Sequence, residues 1–263
     1  MNKFLLFSYI CFTISLALIP VCTAIDISTQ YGVVYYPYTV FYPRNIATPR
    51  PDYEEFSEAR MISDLKSMRI ARIDFVLISI DENQIFDTPA YRLFFSLAQD
   101  YNVKLCFMIE HPQTTETLQQ VVEWVNQFYM QSVYFKWQGK PLLVFYECFA
   151  NPDYDNSEYT VRHMIYNKQW QWFGGDIVPM LSAAGDRMTI IHPAILNVGG
   201  YPEYGWMHPR TNGDFYKEQW SQAKQLNPAL ILIATWNDFW EGTFITSNTL
   251  DGNLMLRITR QRG

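Results

Sequence analysis

Basic charge is scarce in this chain: 20 Lys and Arg stand against 26 Asp and Glu, a formal net charge of −6 with histidine neutral. A surface of that sign offers nothing to a nucleic-acid backbone or an anionic bilayer, and neither is expected as a partner. Cysteine is scarce too. Of the 4 cysteines, only Cys106 and Cys148 lie beyond the first 24 residues, so a disulfide framework is excluded and one bridge at most remains. No glycine-rich phosphate loop follows the first apolar run, which argues against a nucleotide site. No Gly-x-Ser-x-Gly elbow is present, which removes the serine-hydrolase reading. His111, His163, His192 and His208 show no i, i+4 pair of the kind that holds zinc on a helix, so no metal is expected. Internal repeats and low-complexity linkers are also missing.

What is there begins with Lys3 and an uncharged apolar stretch from Phe4 to Val21, followed by Cys22-Thr23-Ala24. That is the layout of a secretory signal peptide cut after Ala24. The 19 residues Phe4 to Cys22 are also long enough to span a bilayer as an N-terminal anchor. Either way the rest of the chain is expected outside the cytoplasm, secreted or held at the membrane by that segment alone. Without residues 1–24, which hold one lysine and no acid, 19 basic face 26 acidic residues. The remaining stretch, 25–263, is large enough for one domain of barrel size, expected as a monomer. Aromatic residues make up 17%. In a secreted protein this fits rings stacked on sugars, and it fits plain core packing equally.

Short β-rich runs alternate with amphipathic stretches. Strands are expected at Tyr31 to Tyr36, Ile73 to Ile80, Lys104 to Glu110, Leu142 to Tyr146 and Leu230 to Trp236, with further candidates at Tyr159 to Tyr166, Ile177 to Leu181 and Met188 to Ala194. Helices are expected at Glu54 to Met68, Tyr91 to Gln99, Thr115 to Tyr129 (opened by Thr115), Phe215 to Leu226 and Leu254 to Arg260. The alternation implies parallel β/α units, and seven or eight strands in a chain of this size imply a (β/α)8 TIM barrel. Cys106 falls within one strand and Cys148 beyond the end of the next. About 13 Å of strand rise separates them, too far for a bridge, so two buried thiols are expected.

The most informative segment is Trp236-Asn237-Asp238-Phe239-Trp240-Glu241-Gly242, which follows directly on Leu230-Ile231-Leu232-Ile233-Ala234-Thr235. A buried parallel strand that breaks off into acids delivers them to its C-terminal mouth, where α/β enzymes keep their chemistry. Other strands also end in acids: Asp81 and Glu82, Glu110, and Glu147. Any one of these could be a helix cap or an ion-pair partner. Asp238 and Glu241, at i and i+3, can come together if the chain turns, one staying ionised while the other, desolvated by Trp240 and Phe239, holds its proton. The group Trp170-Gln171-Trp172-Phe173 is either a sugar platform or packing.

The segment Trp236 to Thr243 resembles the Trp-Asn-Glu-Trp-x-Glu-Gly-Thr signature of glycoside hydrolase family 99, the endo-α-mannosidase-like enzymes. Further matches follow in order: Tyr35-Tyr36-Pro37-Tyr38, Ile73 to Ser79, Ile109-Glu110-His111-Pro112, Gly139-Lys140-Pro141-Leu142, and Arg210 to Tyr216. The resemblance implies a barrel that cleaves α-mannosidic linkages of an oligo- or polysaccharide with retention and without a metal or other cofactor. It implies Asp238 as a base acting on the sugar's own 2-hydroxyl and Glu241 as acid and later base. Glu110 would hold the reacting sugar, Tyr36 and Tyr146 would touch it, Trp236, Asn237 and Trp240 would shape the pocket, and His111 would lie nearby.

The chain departs from that pattern at several points. Asp238 stands where the family has Glu, about 1.5 Å shorter in reach. Tyr38 and Thr39 replace Trp and Tyr, Pro112 is displaced by one position, and Pro193 to Asn197 lacks the acids of the family's Pro-Gly-x-Asp-Asp. A barrel that binds glycans without cutting them is therefore the alternative expectation.

Overall fold

A computed structural model describes residues 29–37, 47–48, 56–81, 88–146, 148–151, 153–164, 180–181, 187–196 and 205–263. The N-terminal apolar segment, Tyr38, Thr39, Glu82, Glu147, Asn197 and the Trp170 to Gly175 group lie outside them. Among the described residues no helix is long and apolar enough to cross a membrane.

Strands β1 (Gln30–Tyr35), β2 (Phe75–Ile80), β3 (Lys104–Glu110), β5 (Lys140–Tyr146), β6 (Thr160–Met164), β8 (Arg187–Ile191) and β11 (Leu230–Ile233) form one parallel arrangement. Their order is β6-β5-β3-β2-β1-β11-β8. The first and last parallel strands in the chain are neighbours inside this sheet, with Gln30 to Val33 beside Leu230 to Ile233. The runs are apolar without alternation because the parallel strands are covered on both faces: all six residues of β2 and all four of β11 are buried. Short β4 (Lys136–Trp137) pairs antiparallel with β5. Of the candidate at Ile177 to Leu181 only the last two residues are described, and they form β7 (Met180–Leu181), which pairs antiparallel with β8.

Helix α1 (Glu58–Ile70) starts four residues later than its apolar spacing implies. Ser57 supplies the cap, its hydroxyl accepting the Arg60 amide, with Glu58 in the first turn and Arg69 in the last. Helix α2 (Thr88–Tyr101) extends three residues upstream and two downstream of the expected span. Helix α3 (Thr115–Val125) is capped by Thr114 rather than opened by Thr115, because the Thr114 hydroxyl accepts the Thr117 amide at 3.1 Å. Helices α4 (Asp214–Gln225) and α5 (Leu254–Gln261) fall within a residue of expectation. Between α2, α3 and β3 lies an aromatic core in which Phe107 meets Phe95, Trp124 and Phe128 at centroid distances of 5.5, 5.2 and 5.4 Å. Each buried ring contributes about 1.5–3 kcal/mol. Cys106 and Cys148 are buried and unbridged, as strand spacing implies. Glycine at position 32 is required by contact, since a Cβ there would run into the Phe75 ring across the β1–β2 pair.

Candidate active site

Parallel pairing sends the C-terminal end of every stave to one side, and three of those ends carry the site. Tyr36 directly follows β1, Glu110 closes β3 in register with Tyr146 of β5, and Trp236 to Glu241 follow β11. Ser79 of β2 donates its hydroxyl to Glu110 Oε1, and the Tyr36 phenol favours the ionised form of the same carboxylate. The negative fields of Glu110, Asp238 and Glu241, together with Tyr146, all reach the Tyr36 hydroxyl. The three acids singled out from sequence therefore all act electrostatically on one phenol.

Strand β11 stops at Ile233, short of the expected Trp236: the Ala234 and Trp236 amides still donate to Ile191 and Val34 on the neighbouring strands, but Thr235 pairs with its own loop. The Thr235 amide donates to the Thr243 carbonyl at 2.9 Å, and the two threonine hydroxyls lie 3.0 Å apart. Inside this fold-back the Asp238 amide donates to Thr235 Oγ1 at 2.9 Å. Asp238 Oδ1 in turn accepts the amides of Trp240 at 3.0 Å and Glu241 at 2.8 Å. This is a carboxylate-closed turn of the kind a short Asp side chain forms with amides two and three residues on. The i, i+3 acids do come onto one turn. The shorter side chain at 238 commits one of its oxygens to that turn.

The scaffold under Tyr36 is just as specific. Asn237 pairs with its backbone in both directions, Oδ1 accepting the Tyr36 amide at 2.9 Å and Nδ2 donating to the Tyr36 carbonyl at 2.6 Å. Arg60 of α1 donates to the carbonyls of Tyr36 and Pro37, at 3.3 and 3.4 Å. It also pairs with buried Asp64 at 3.3 Å. Asn237 thus ties the end of β1 to the loop after β11. On the far side of that loop, Arg210 donates to the carbonyls of Gly242 and Phe244, at 2.8 and 3.0 Å, and pairs with Asp251 at 2.6 Å. The Glu241 carbonyl accepts the Leu196 amide at 2.7 Å.

Burial pushes the Glu110 carboxyl up to about 7, helped by the negative charges of Asp81 and Asp238 and opposed by Ser79 and Tyr36. Burial also raises Asp238 above the usual carboxylate range, against the pull of its two amide donors. Tyr36 is raised well above an ordinary phenol, first by burial and then by the acids around it. An active site needs this kind of poise, in which carboxyls keep or recapture protons near neutral pH.

Of the remaining expected residues, Trp236 is fully buried with its indole N–H unbonded among the described residues, while Trp240 is half-buried beside the acids. His111 packs edge-on to Tyr146 at 5.1 Å and lies parallel to Phe149 at 6.0 Å. Phe149 is 58% exposed beside this pair. Sequence reasoning missed Ser79, Arg60 and Phe149 as site residues. Ser79 left one trace, the single hydroxyl inside an otherwise apolar strand end. No cluster of three His, Cys, Asp or Glu among the described residues could hold a metal. His192 is buried, with Nδ1 3.1 Å from the Ala194 carbonyl, and burial lowers it to about 4.

No protein-family model and no curated protein matches the sequence. Solved structures do. The family 99 endo-α-mannosidase from Bacteroides thetaiotaomicron superposes with a TM-score of 0.74 at 13% identity, covering 89% of this chain and 96% of that one. The same enzyme in complex with bis-tris-propane gives 0.72 at 14% identity, over 89% and 95%. A glycoside hydrolase-like protein gives 0.63 at 13% identity, over 89% and 93%. With its strand order, the pairing of β1 with β11 and acids at the mouth of the sheet, the chain has a fold like that of glycoside hydrolase family 99.

Proposed function

We propose that the chain is a secreted glycoside hydrolase: a single-domain (β/α)8 barrel over residues 25–263 that acts on α-mannoside-type linkages of an oligo- or polysaccharide. The observation that carries this reading is the turn that brings Asp238 and Glu241 together after β11, tied through Asn237 to Tyr36 at the end of β1. In the proposed reaction Asp238 takes the proton of the sugar's 2-hydroxyl through Oδ2, the oxygen not bonded to the turn. The freed oxygen attacks the anomeric carbon as the glycosidic bond breaks, and Glu241 gives its proton to the leaving oxygen. Water then opens the resulting 1,2-anhydro sugar, with Glu241 taking a proton from the water and Asp238 returning one to O2. The anomeric configuration is retained overall. Glu110, with a pKa of about 7, hydrogen-bonds the hydroxyls of the reacting sugar, as donor when protonated and acceptor when ionised. Tyr36 and Tyr146 line the same space.

The bonds from Asp238 Oδ1 to two loop amides favour a second reading, a glycan-binding barrel in which this carboxylate serves only the turn. Glu241→Gln separates the two. Under the hydrolase reading the wild type releases reducing ends from a glycan panel and the variant binds without releasing them. A wild type that binds glycans and releases nothing rules out the hydrolase reading.

A further inference from the structure

On the far side of the loop that carries Asp238 and Glu241 lies a second pocket of about 340 Å³, lined by Trp206, Arg210, Asn212, Leu250, Asp251 and Leu254 among others. Its rim is unusual for a surface. Trp206 is 36% and Leu250 52% exposed, although large apolar groups gathered at one concave place normally mark a binding site. Trp206 sits on β10 (Trp206–His208), which pairs with β9 (Ile195–Leu196), and Leu196 is the residue whose amide holds the Glu241 carbonyl. The floor is Arg210, whose Nε, Nη1 and Nη2 are taken by Asp251, Gly242 and Phe244. Pocket and acid-bearing loop share this one guanidinium.

The lining selects among ligands. Arg210 is already paired with Asp251 at 2.6 Å, and the Asp251 carboxylate in the lining disfavours a phosphate or carboxylate. The Asp251 oxygens accept from Arg210 and, at 2.8 Å, from Asn248, and a carboxylate has acceptor capacity beyond two bonds. Asn212 is exposed, in a left-handed conformation with φ of 55°, and its amide has no partner among the described residues. A part-exposed indole, a carboxylate and an exposed amide match the apolar face and the hydroxyl edge of a pyranose. The volume is at the small end of the range of roughly 300–1,000 Å³ for ligand pockets, enough for a short saccharide and too small for a peptide.

We propose that this pocket is a second saccharide site, with Trp206 as stacking platform and Asn212 and Asp251 as hydroxyl partners, binding a sugar unit remote from the one at Glu241. The proposal rests on the reading of the chain as a glycan-acting protein, and its test is designed to fail separately. The full chain bearing Glu241→Gln, labelled with ¹⁵N at its indoles, is titrated with a panel of methyl hexopyranosides and their linear tetraoses. The Trp206 indole resonance is expected to shift with at least one sugar, and Trp206→Ala to weaken that sugar's binding, followed by calorimetry, about tenfold or more. The Trp236 and Trp240 shifts should keep their midpoints within about twofold. Asn212→Ala, which leaves the exposed ring in place, should weaken the Trp206 response severalfold. A panel that moves Trp236 or Trp240 but never Trp206 overturns the second site and leaves the proposed function standing. Movement of Trp206 alone supports the pocket and counts against the acid cluster as a sugar site. No movement of any indole overturns both.

Discussion

Two sets of buried carboxylates in this molecule look alike in sequence and differ in company. Asp64 and Asp251 each face an arginine, Arg60 at 3.3 Å and Arg210 at 2.6 Å, and both pairs brace backbone carbonyls next to the site. The charges that reach Glu110 are those of Asp81 and Asp238, both negative. Evolution has no stability reason to gather acids in a desolvated place, since burying a carboxylate without a cation favours its neutral form and costs stability once it ionises. The first set holds the loops. The second holds its protons to higher pH.

Substitutions that confuse the two sets should break this contrast. The largest effect is expected at Asp64. Asp64→Ala leaves the Arg60 guanidinium buried without its counter-charge and should cost about 3–5 kcal/mol of stability, read from denaturant midpoints. Replacing both partners, Arg60→Met with Asp64→Leu, should cost much less. If the single and double variants are equally unstable, the pair is not what braces Tyr36.

Asp238→Asn tests the other set. Asparagine keeps an oxygen for the Trp240 and Glu241 amides, so the melting temperature should stay nearly constant. Turnover should fall roughly 10²–10⁴-fold, the usual range for loss of a general base. A stable variant with unchanged turnover would remove Asp238 from the reaction.

The pH dependence follows from Glu110. Its pKa is raised from 4.5 to about 7 in the folded chain, so between those values the folded state binds more protons than the unfolded one. Stability from this group is fully present below about pH 4.5 and is lost as pH rises through about 7, by roughly 3 kcal/mol at most. Asp238 is shifted in the same direction. Glu110→Gln should flatten the stability profile between pH 5 and 8, measured by urea unfolding. A profile as steep as the wild type's would contradict the raised value. The smallest effect is expected at the rim, where Phe149→Ala, at an exposed ring, should change stability by less than about 0.5 kcal/mol. Under the proposed function it should weaken glycan binding by a few-fold.

Much of this arrangement could be read in the sequence because parallel strands are written as unbroken apolar runs and their mouths as sudden acids. Lys104 to Glu110 was expected as a strand to the residue, and β11 followed by Trp236 to Glu241 marked the site. Boundaries slipped where a local hydrogen bond overrode periodicity: Ser57 and Thr114 cap their helices, and Thr235 turns to Thr243 instead of extending the strand. The aromatic content of 17% was ambiguous by itself. Many of the rings proved to be core, as around Phe107, and only their neighbours distinguish Tyr36, Tyr146 and Phe149 from those.

The sequence by itself determined the β/α alternation, the acids at strand ends and the likeness to family 99, because periodicity and strand-end composition are local properties of the chain. Tertiary structure alone decided that the charges of Glu110, Asp238 and Glu241 all act on Tyr36 and that Ser79 serves Glu110. It also decided that Asp238 spends one oxygen on its own loop and that Arg210 lies behind that loop. Residues 36 and 238 are far apart along the chain, and only the pairing of β1 with β11 brings them together.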